Sequence, residues 1–518
     1  MKKISNLIVS LGALLALTSC DLNLEPPTGP KADDLETFSL EYCEGMRDYI
    51  YVDMKALLSG DFFIQTDLYA DIYTPTILTG NGGVYVYNQR LYTNDSTVSG
   101  FWSSYYGAIK DINYAKEHLE KALESGMLSA NEISLVKGYI AEMHFFRAYV
   151  MYRLSLMFCE DYDPARATEQ LGVPYPVQWD PEAKLPRKTL ADVYTQLEKD
   201  LVEAEKEINS SNANYKGGAA GSYYVTENAL KAFRAQYALQ IHDYQTASTL
   251  AKELYSSYPL VQSKDELERM WYLSDKASED ILVLNTIRTT STSTNSFADL
   301  IQASWDAASS QYLCGPYYVP EQHVVDLFSA EDYRTGIYIS QLDDPEFPYT
   351  INVQGYTFQG IMIKKFMGDK TFQTSDTQLG YRIAPKMFRI ADMYLIDAEA
   401  QWRLGGDAAT PLNDLRQSRG LAALDAAANI ETELKNERLR EMVAEGTRLY
   451  DLKRWDDPLI RDIQSSLSPL FYGTWMNTIP ADQASRPSQL ATRYAWPIPY
   501  TETVQNPNIG PQNPGYTN

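Results

Sequence analysis

The best-spaced chemical groups in this chain are the carboxylates Glu437, Glu441 and Glu445. Four-residue spacing places all three on one face of a helix, and paired carboxylates are the acid/base machinery of glycoside hydrolysis. Arg438, Arg440 and Arg448 stand within reach of the same row, and a carboxylate row so flanked makes ion pairs. With 68 acidic residues in the chain, carboxylate pairs arise everywhere and single out no catalytic pair. The four histidines (His118, His144, His242 and His323) are scattered, without the spacing of a zinc or di-iron site. Glu160-Asp161-Tyr162-Asp163 has calcium-binding residue types but not the twelve-residue loop, and reads as a solvated acidic turn. Phosphate loops, dinucleotide fingerprints and nucleophile elbows are absent from the sequence. The expectation is no catalytic residue, no cofactor and no metal.

Charge and cysteine usage narrow the class. A formal net charge of −23 repels nucleic acid and anionic headgroups. The N-terminus carries Lys2 and Lys3, then an apolar run from Ile4 to Leu17 that is too short to span a bilayer. It closes on Leu17-Thr18-Ser19-Cys20, similar to a bacterial lipobox, which makes the Cys20 thiol the expected site of lipidation. Several acyl chains at one cysteine anchor a protein stably. Cys43, Cys159 and Cys314 are odd in number and widely spaced, so buried free thiols are expected. Tyrosine, at 39 copies against 16 phenylalanines, is the compositional outlier. It joins a flat apolar face to a hydroxyl and suits surfaces that must bind while wet.

The elements that position these groups are predominantly helical. Phe101–Glu124, Asn131–Phe158 and Thr189–Ile208 have apolar residues at helical spacing, with Thr189 as a cap. Thr226–Ile241 and Tyr244–Tyr255 form a pair across a tight His242-Asp243 turn, with alanines and aromatics placed as in tetratricopeptide (TPR) units. Met393–Gly420 repeats the order helix, Gly-Gly-Asp turn, helix. Glu437–Pro458 reads as one amphipathic helix. Leu439, Met442, Val443, Gly446, Leu449 and Tyr450 form its packed stripe, and the charges form a network on the other side. Gly446 on that stripe implies close backbone approach to a neighbour. Between 261 and 385 the texture is polar and turn-rich, with short extended runs at Ile281–Leu284 and Gly360–Lys364. Asp61–Gly100 has the same loop texture, and such inserts are where binding usually sits. The tail places prolines at 497, 499, 507, 511 and 514, which forbids a long helix. The resulting division is a signal peptide over 1–19 and a lipid anchor and tether over 20–30. A helical TPR-like scaffold covers 31–260 with ligand-side loops at 61–100. A loop-rich insert follows over 261–385, then C-terminal helices and an irregular tail over 386–518.

Four blocks in order carry a family resemblance: the lipobox at Cys20, RIADMYLIDAEAQWRLGG, GTRLYDLKRW, and WPIP…NPNIGPQNPGY. With FWSSYYGAIKDINYA, AEMHFFRAYVMYRLSLMF and GVPYPV…PRKTLADVYTQLEKDL they cover nearly the whole chain after the leader. The chain resembles the SusD/RagB group of bacterial surface lipoproteins. Asp21 is a departure, since in some bacteria aspartate after the lipidated cysteine retains a lipoprotein at the inner membrane.

The resemblance implies a mostly α, TPR-based helical-repeat scaffold with a loop-rich insert, lipid-anchored in the outer membrane and facing the cell surface. It implies a SusC-like TonB-dependent transporter as partner, nutrient glycans as ligand, and no enzymatic activity. A peptide ligand, or a transporter lid with little affinity of its own, are the alternatives. Sugar binding needs aromatic faces for pyranose rings, with amides and carboxylates nearby for the hydroxyls. The loops offer Asp71, Tyr73, Tyr85, Tyr87 and Tyr92 in the first region, and Trp271, Trp305, Tyr312, Tyr317 and Tyr318 in the insert. Of these Trp305, Tyr312, Tyr317, Asp71, Tyr73 and Tyr92 are the expected ligand contacts, Trp305 first because its neighbours are polar. Trp102, Trp402 and Trp455 lie on helical stripes and are expected in the core.

Overall fold

A computed structural model describes residues 38–211, 218–273, 277–285, 297–369, 379–381, 383–470, 479–480, 483–489 and 494–517. Cys20, the signal segment and the tether lie outside the described residues. The elements run in chain order as α1 (Leu40–Leu57), α2 (Asp61–Tyr69), β1 (Tyr73–Pro75), α3 (Gly80–Tyr87), α4 (Ser96–Glu124), α5 (Ala130–Phe158) and α6 (Leu190–Ser210). Next come α7 (Glu227–Gln240), α8 (Tyr244–Leu254), α9 (Lys264–Tyr272), β2 (Asp280–Val283), β3 (Ala303–Asp306), β4 (Gln311–Cys314), β5 (Tyr318–Pro320) and α10 (Gln322–Val325). The last third holds β6 (Tyr349–Val353), β7 (Tyr356–Phe358), β8 (Lys386–Arg389), α11 (Ile390–Leu404), α12 (Ala409–Ser418), α13 (Ile430–Met442), α14 (Arg448–Trp455) and α15 (Tyr500–Gln505).

The helix starts are written locally. Ser129 and Glu132 exchange side-chain and backbone bonds in a capping box that opens α5. Thr189 caps α6 by accepting from the Asp192 amide at 3.1 Å, and Asp243 does the same for α8 through Thr246. From Val136 onward α5 is buried almost all round, so it is a central helix, flanked by α4 and α6. The two expected helix pairs form as α7–α8 and α11–α12, and α11 packs on α8. The Gly-Gly-Asp turn works because Gly405 takes φ +71°, a left-handed cap that ends α11. Cys43, Cys159 and Cys314 are buried free thiols. Trp102 and Trp455 are buried as expected, and Trp402 is half-buried against the core. Among the described residues the proline-bearing tail from 494 onward carries one helix, the six-residue α15.

Three expectations are corrected. The stretch 61–100 is mostly helical, as α2, α3 and the start of α4. Its glycine-rich GNGGVYVY segment is held as α3, and β1 inside the stretch pairs antiparallel with β5. The insert contains more order than its texture suggests. β2 matches one expected extended run and pairs with β8, and β3-β4-β6-β7 form a four-stranded sheet. The other run, Gly360–Lys364, only bridges Ile339 through Ile363.

The third correction concerns Glu437–Pro458, which is two helices, not one. α13 stops at Met442, Ala444 and Gly446 take φ of +67° and +66°, and α14 begins at Arg448. Gly446 does meet a neighbour closely, because a Cβ there would lie 2.9 Å from the Phe63 ring of α2. Its reason is a left-handed turn, not a helix-interior contact. The charged side is also inside. Glu437 and Glu441 have no exposure, and Glu441 accepts from Arg389 at 2.7 Å, Arg334 at 3.0 Å and Arg419 at 3.1 Å. Glu445 pairs with Lys365 at 2.6 Å and with Arg389. Burial opposes ionisation of Glu441, but the three guanidiniums hold it well below the usual carboxylate range. Arg419 also grips Glu279 with bonds of 2.8 and 2.9 Å, so the network ties the insert to the C-terminal helices.

Candidate ligand-binding site

A four-residue strand, a turn and a second strand build the most exposed tryptophan of the insert. Asp306 accepts from the Ala308 amide at 3.1 Å and from Ser309 Oγ at 2.5 Å, and Ser310 takes φ +53°. Those hydroxyl and amide bonds lower the Asp306 pKa. The turn sets β3 and β4 in antiparallel register with Trp305 directly opposite Tyr312. Cross-strand aromatic neighbours of this kind hold each other's rings. Here the two centroids are 5.1 Å apart at 73°, edge to face. Tyr312 in turn stacks on Phe347 at 4.9 Å and 26°. Parallel pairing places Tyr349 beside Tyr312, and Lys364 Nζ sits 5.0 Å from the Phe347 ring while bonded to Asp344 at 2.8 Å.

The ladder of rings is buried at one end and open at the other. Tyr349 is 8% exposed, Tyr312 is half-buried, and Trp305 is 37% exposed. Beside the rings, Thr350 Oγ1 donates to Gln311 Oε1 at 2.9 Å. The arrangement is a rigid aromatic platform with amide, hydroxyl and carboxylate groups alongside. Tyr317 lies just after β4 and is half-buried; its amide donates to Asp299 O at 2.7 Å and its carbonyl receives the Thr76 amide at 2.8 Å. That bond and the β1–β5 pairing bring the loop after β1 against the insert.

The other expected contacts are placed elsewhere. Asp71 has no exposure and is spent on Arg448, whose Nε lies 2.7 Å away. Burial opposes its charge, but Arg448 keeps its pKa below the usual value. Tyr73 also has no exposure; it lies in β1 with its ring 6.3 Å from Tyr318. A group without exposure cannot touch a ligand at the surface, so Asp71 and Tyr73 are scaffold. Tyr92 is 61% exposed but precedes α4, where the neighbouring Thr93 carbonyl binds the Tyr500 amide of α15 at 2.7 Å.

Phe347 and Tyr356 were not among the expected contacts. Phe347 sits in a run, LDDPEFPYT, whose polar texture hides it. Tyr356 is 70% exposed at the tip of β6–β7, where Gln354 and Gly355 take φ of +54° and +85°. A two-residue turn ending in glycine between alternating residues is a hairpin signal that marks it.

Two groups of acidic side chains among the described residues are bound up in ion pairs. The Glu437/Glu441/Glu445 row is consumed by arginines and lysine. His144 and Arg147 hold Asp200, whose carboxyl they keep down to about 2 against the cost of burial. Among the described residues no group of three or more His, Cys, Asp or Glu side chains is placed to hold a metal ion. Among those residues no helix is long and apolar enough to cross a membrane.

The SusD family profile matches residues 195–516, which is more than half of the chain. The chain belongs to the SusD family. A second profile, described as starch-binding associating with outer membrane, matches residues 43–223. The starch-binding protein SusD of Bacteroides thetaiotaomicron is 32% identical over 131 residues, 25% of this chain and 21% of that protein. The match thus spans about a fifth of the relative's length. A SusD superfamily structure from Bacteroides vulgatus has a TM-score of 0.70 at 18% identity, covering 93% of this chain and 100% of that one. A laminarin-binding SusD-like protein has a TM-score of 0.68 at 21% identity, with coverage of 92% and 99%. The solved folds agree with a mostly helical SusD-like architecture, and SusD family proteins are binding proteins rather than enzymes.

Proposed function

We propose that this chain is a non-enzymatic, lipid-anchored receptor at the outer surface of the outer membrane. It captures nutrient glycans and passes them to a SusC-like TonB-dependent transporter, with Cys20 carrying the lipid. The observation that supports capture is the open end of the ring ladder. Trp305 offers a partly free indole face, fixed from behind by Tyr312 and Phe347. A pyranose stacks its C–H face on such a ring, and rigid aromatics lose little entropy on binding. The starch and laminarin named for its relatives set the first ligands to try.

The test is calorimetric titration of the intact protein with maltooligosaccharides and laminarin oligosaccharides, repeated with Trp305→Ala. Saturable binding weakened roughly tenfold or more by the substitution is expected, equivalent to about 1.4 kcal/mol. Binding of peptides only would replace the glycan reading with peptide capture. No binding of either would leave the lid role.

A further inference from the structure

A second aromatic pocket lies on the helical scaffold, built from different elements. The connection between α5 and α6 passes along α4 and carries Val177-Gln178-Trp179 midway. Val177 and Trp179 are each 40% exposed, so two neighbouring apolar groups of one arm face solvent. The arm is fixed from beneath. Asn113 Nδ2 donates to the Pro176 and Gln178 carbonyls, each at 3.2 Å, and Arg147 Nη1 donates to Val177 O at 2.9 Å and to Asn113 Oδ1 at 2.8 Å. Arg147 is itself locked by Asp200. Tyr106 OH anchors the start of the arm through Pro174 O at 2.8 Å.

Trp179 leans edge-on against Tyr114 at 5.3 Å, and Tyr114 lies over His118 at 4.0 Å. Beside the indole, a cavity of about 320 Å³ is walled by Asn113, Lys116, Glu117, Glu120, Gln178 and Trp179, among others. That volume is at the small end of ligand sites. The charges along the wall are matched: Lys116 pairs with Glu120 at 2.6 Å and Glu117 with Lys121 at 2.7 Å. Matched charge gives a charged ligand no advantage, while the carboxylates keep free lone pairs for hydroxyl donors.

From the exposed indole, the pinned arm and the polar, charge-balanced wall, we propose that this pocket is a second saccharide site, taking a neutral sugar ring. It rests on the reading that the chain binds glycans but uses none of the residues of the Trp305 platform. Two sites on separate elements let one chain hold a polysaccharide at two points, which raises avidity without tightening either contact.

The test measures stoichiometry and affinity for maltooligosaccharides and laminarin oligosaccharides by calorimetry on the intact protein. Trp179→Ala, Trp305→Ala and the double variant are compared. The wild type is expected to bind two short oligosaccharides per chain, each single variant one, and the double variant none. Glu117→Gln keeps the shape and is expected to weaken only the second event severalfold, leaving the event at Trp305 unchanged. Trp179 is a surface residue, so an unchanged thermal midpoint checks that Trp179→Ala remains folded. One event per chain, lost with Trp305→Ala and unaffected by Trp179→Ala, would overturn the second site while leaving the proposed function intact. One event lost with Trp179→Ala alone would uphold this pocket and remove the Trp305 platform. Binding of peptides instead of sugars at Trp179 would overturn the saccharide assignment.

Discussion

The turn between α13 and α14 and the β3–β4 platform reverse the usual distribution of residue types. Around the turn, arginines and carboxylates are sealed inside. On the platform, an indole is left partly in water. Each inversion costs free energy, but in different ways. A buried charge must be repaid by partners at once, and Glu441 has three guanidiniums. An exposed indole gives up only some burial and keeps a face that a ligand can cover. Charge used internally therefore holds the fold together, and aromatic surface used externally is free to recognise.

Substitution of Glu441 is the strongest way to break that contrast. Glu441→Ala leaves Arg334, Arg389 and Arg419 without a shared counter-charge, and loss of about 3–5 kcal/mol of stability is expected by denaturant unfolding. Equal stability would mean that the buried network is dispensable. Gly446→Ala is the next step down. The left-handed conformation costs a side chain about 1–2 kcal/mol, and the new Cβ would press on Phe63. A lowered thermal midpoint with glycan binding retained is the expected outcome; lost binding at full stability would place recognition in this turn.

The smallest effect expected is a change in pH profile. Asp67 is fully buried, accepts the Gly446 amide at 3.0 Å, and is pushed up to about 7, chiefly by burial. Its folded pKa lies above the ordinary 3.8, so its contribution is favourable at low pH and is lost as pH rises from about 4 to 7. Glu441 has the opposite sign: its depressed pKa stabilises above the usual carboxylate range, about 4.3, and is lost as pH falls below it. Unfolding measured across pH should show Asp67→Asn gaining on the wild type between pH 4 and 7. A constant difference across that range would show that Asp67 titrates normally.

Much of the helical frame is legible in the residues. Thr189, Asp243 and the Gly405 turn are local signals, and local hydrogen bonds decide them. The break inside Glu437–Pro458 was not legible, because its spacing continues the helical stripe through Val443 and Gly446. The platform was legible only in part. Trp305 stands out by its polar neighbours, but Phe347 is brought behind Tyr312 by parallel pairing of strands far apart in sequence. Asp71 and Tyr73 failed as contacts for the same reason in reverse. Their loop-like texture gave no hint of Arg448 or of strand β5.

By itself, then, the sequence determined the family, the helix pairs, the free buried thiols and the acidic balance. These follow from spacing, caps and composition, which are properties of short segments. Only the tertiary structure decided which charges are sealed in, where α13 ends, and which aromatics keep a free face. Burial and ion pairing depend on what packs across from a residue, and long-range pairing supplies that neighbour.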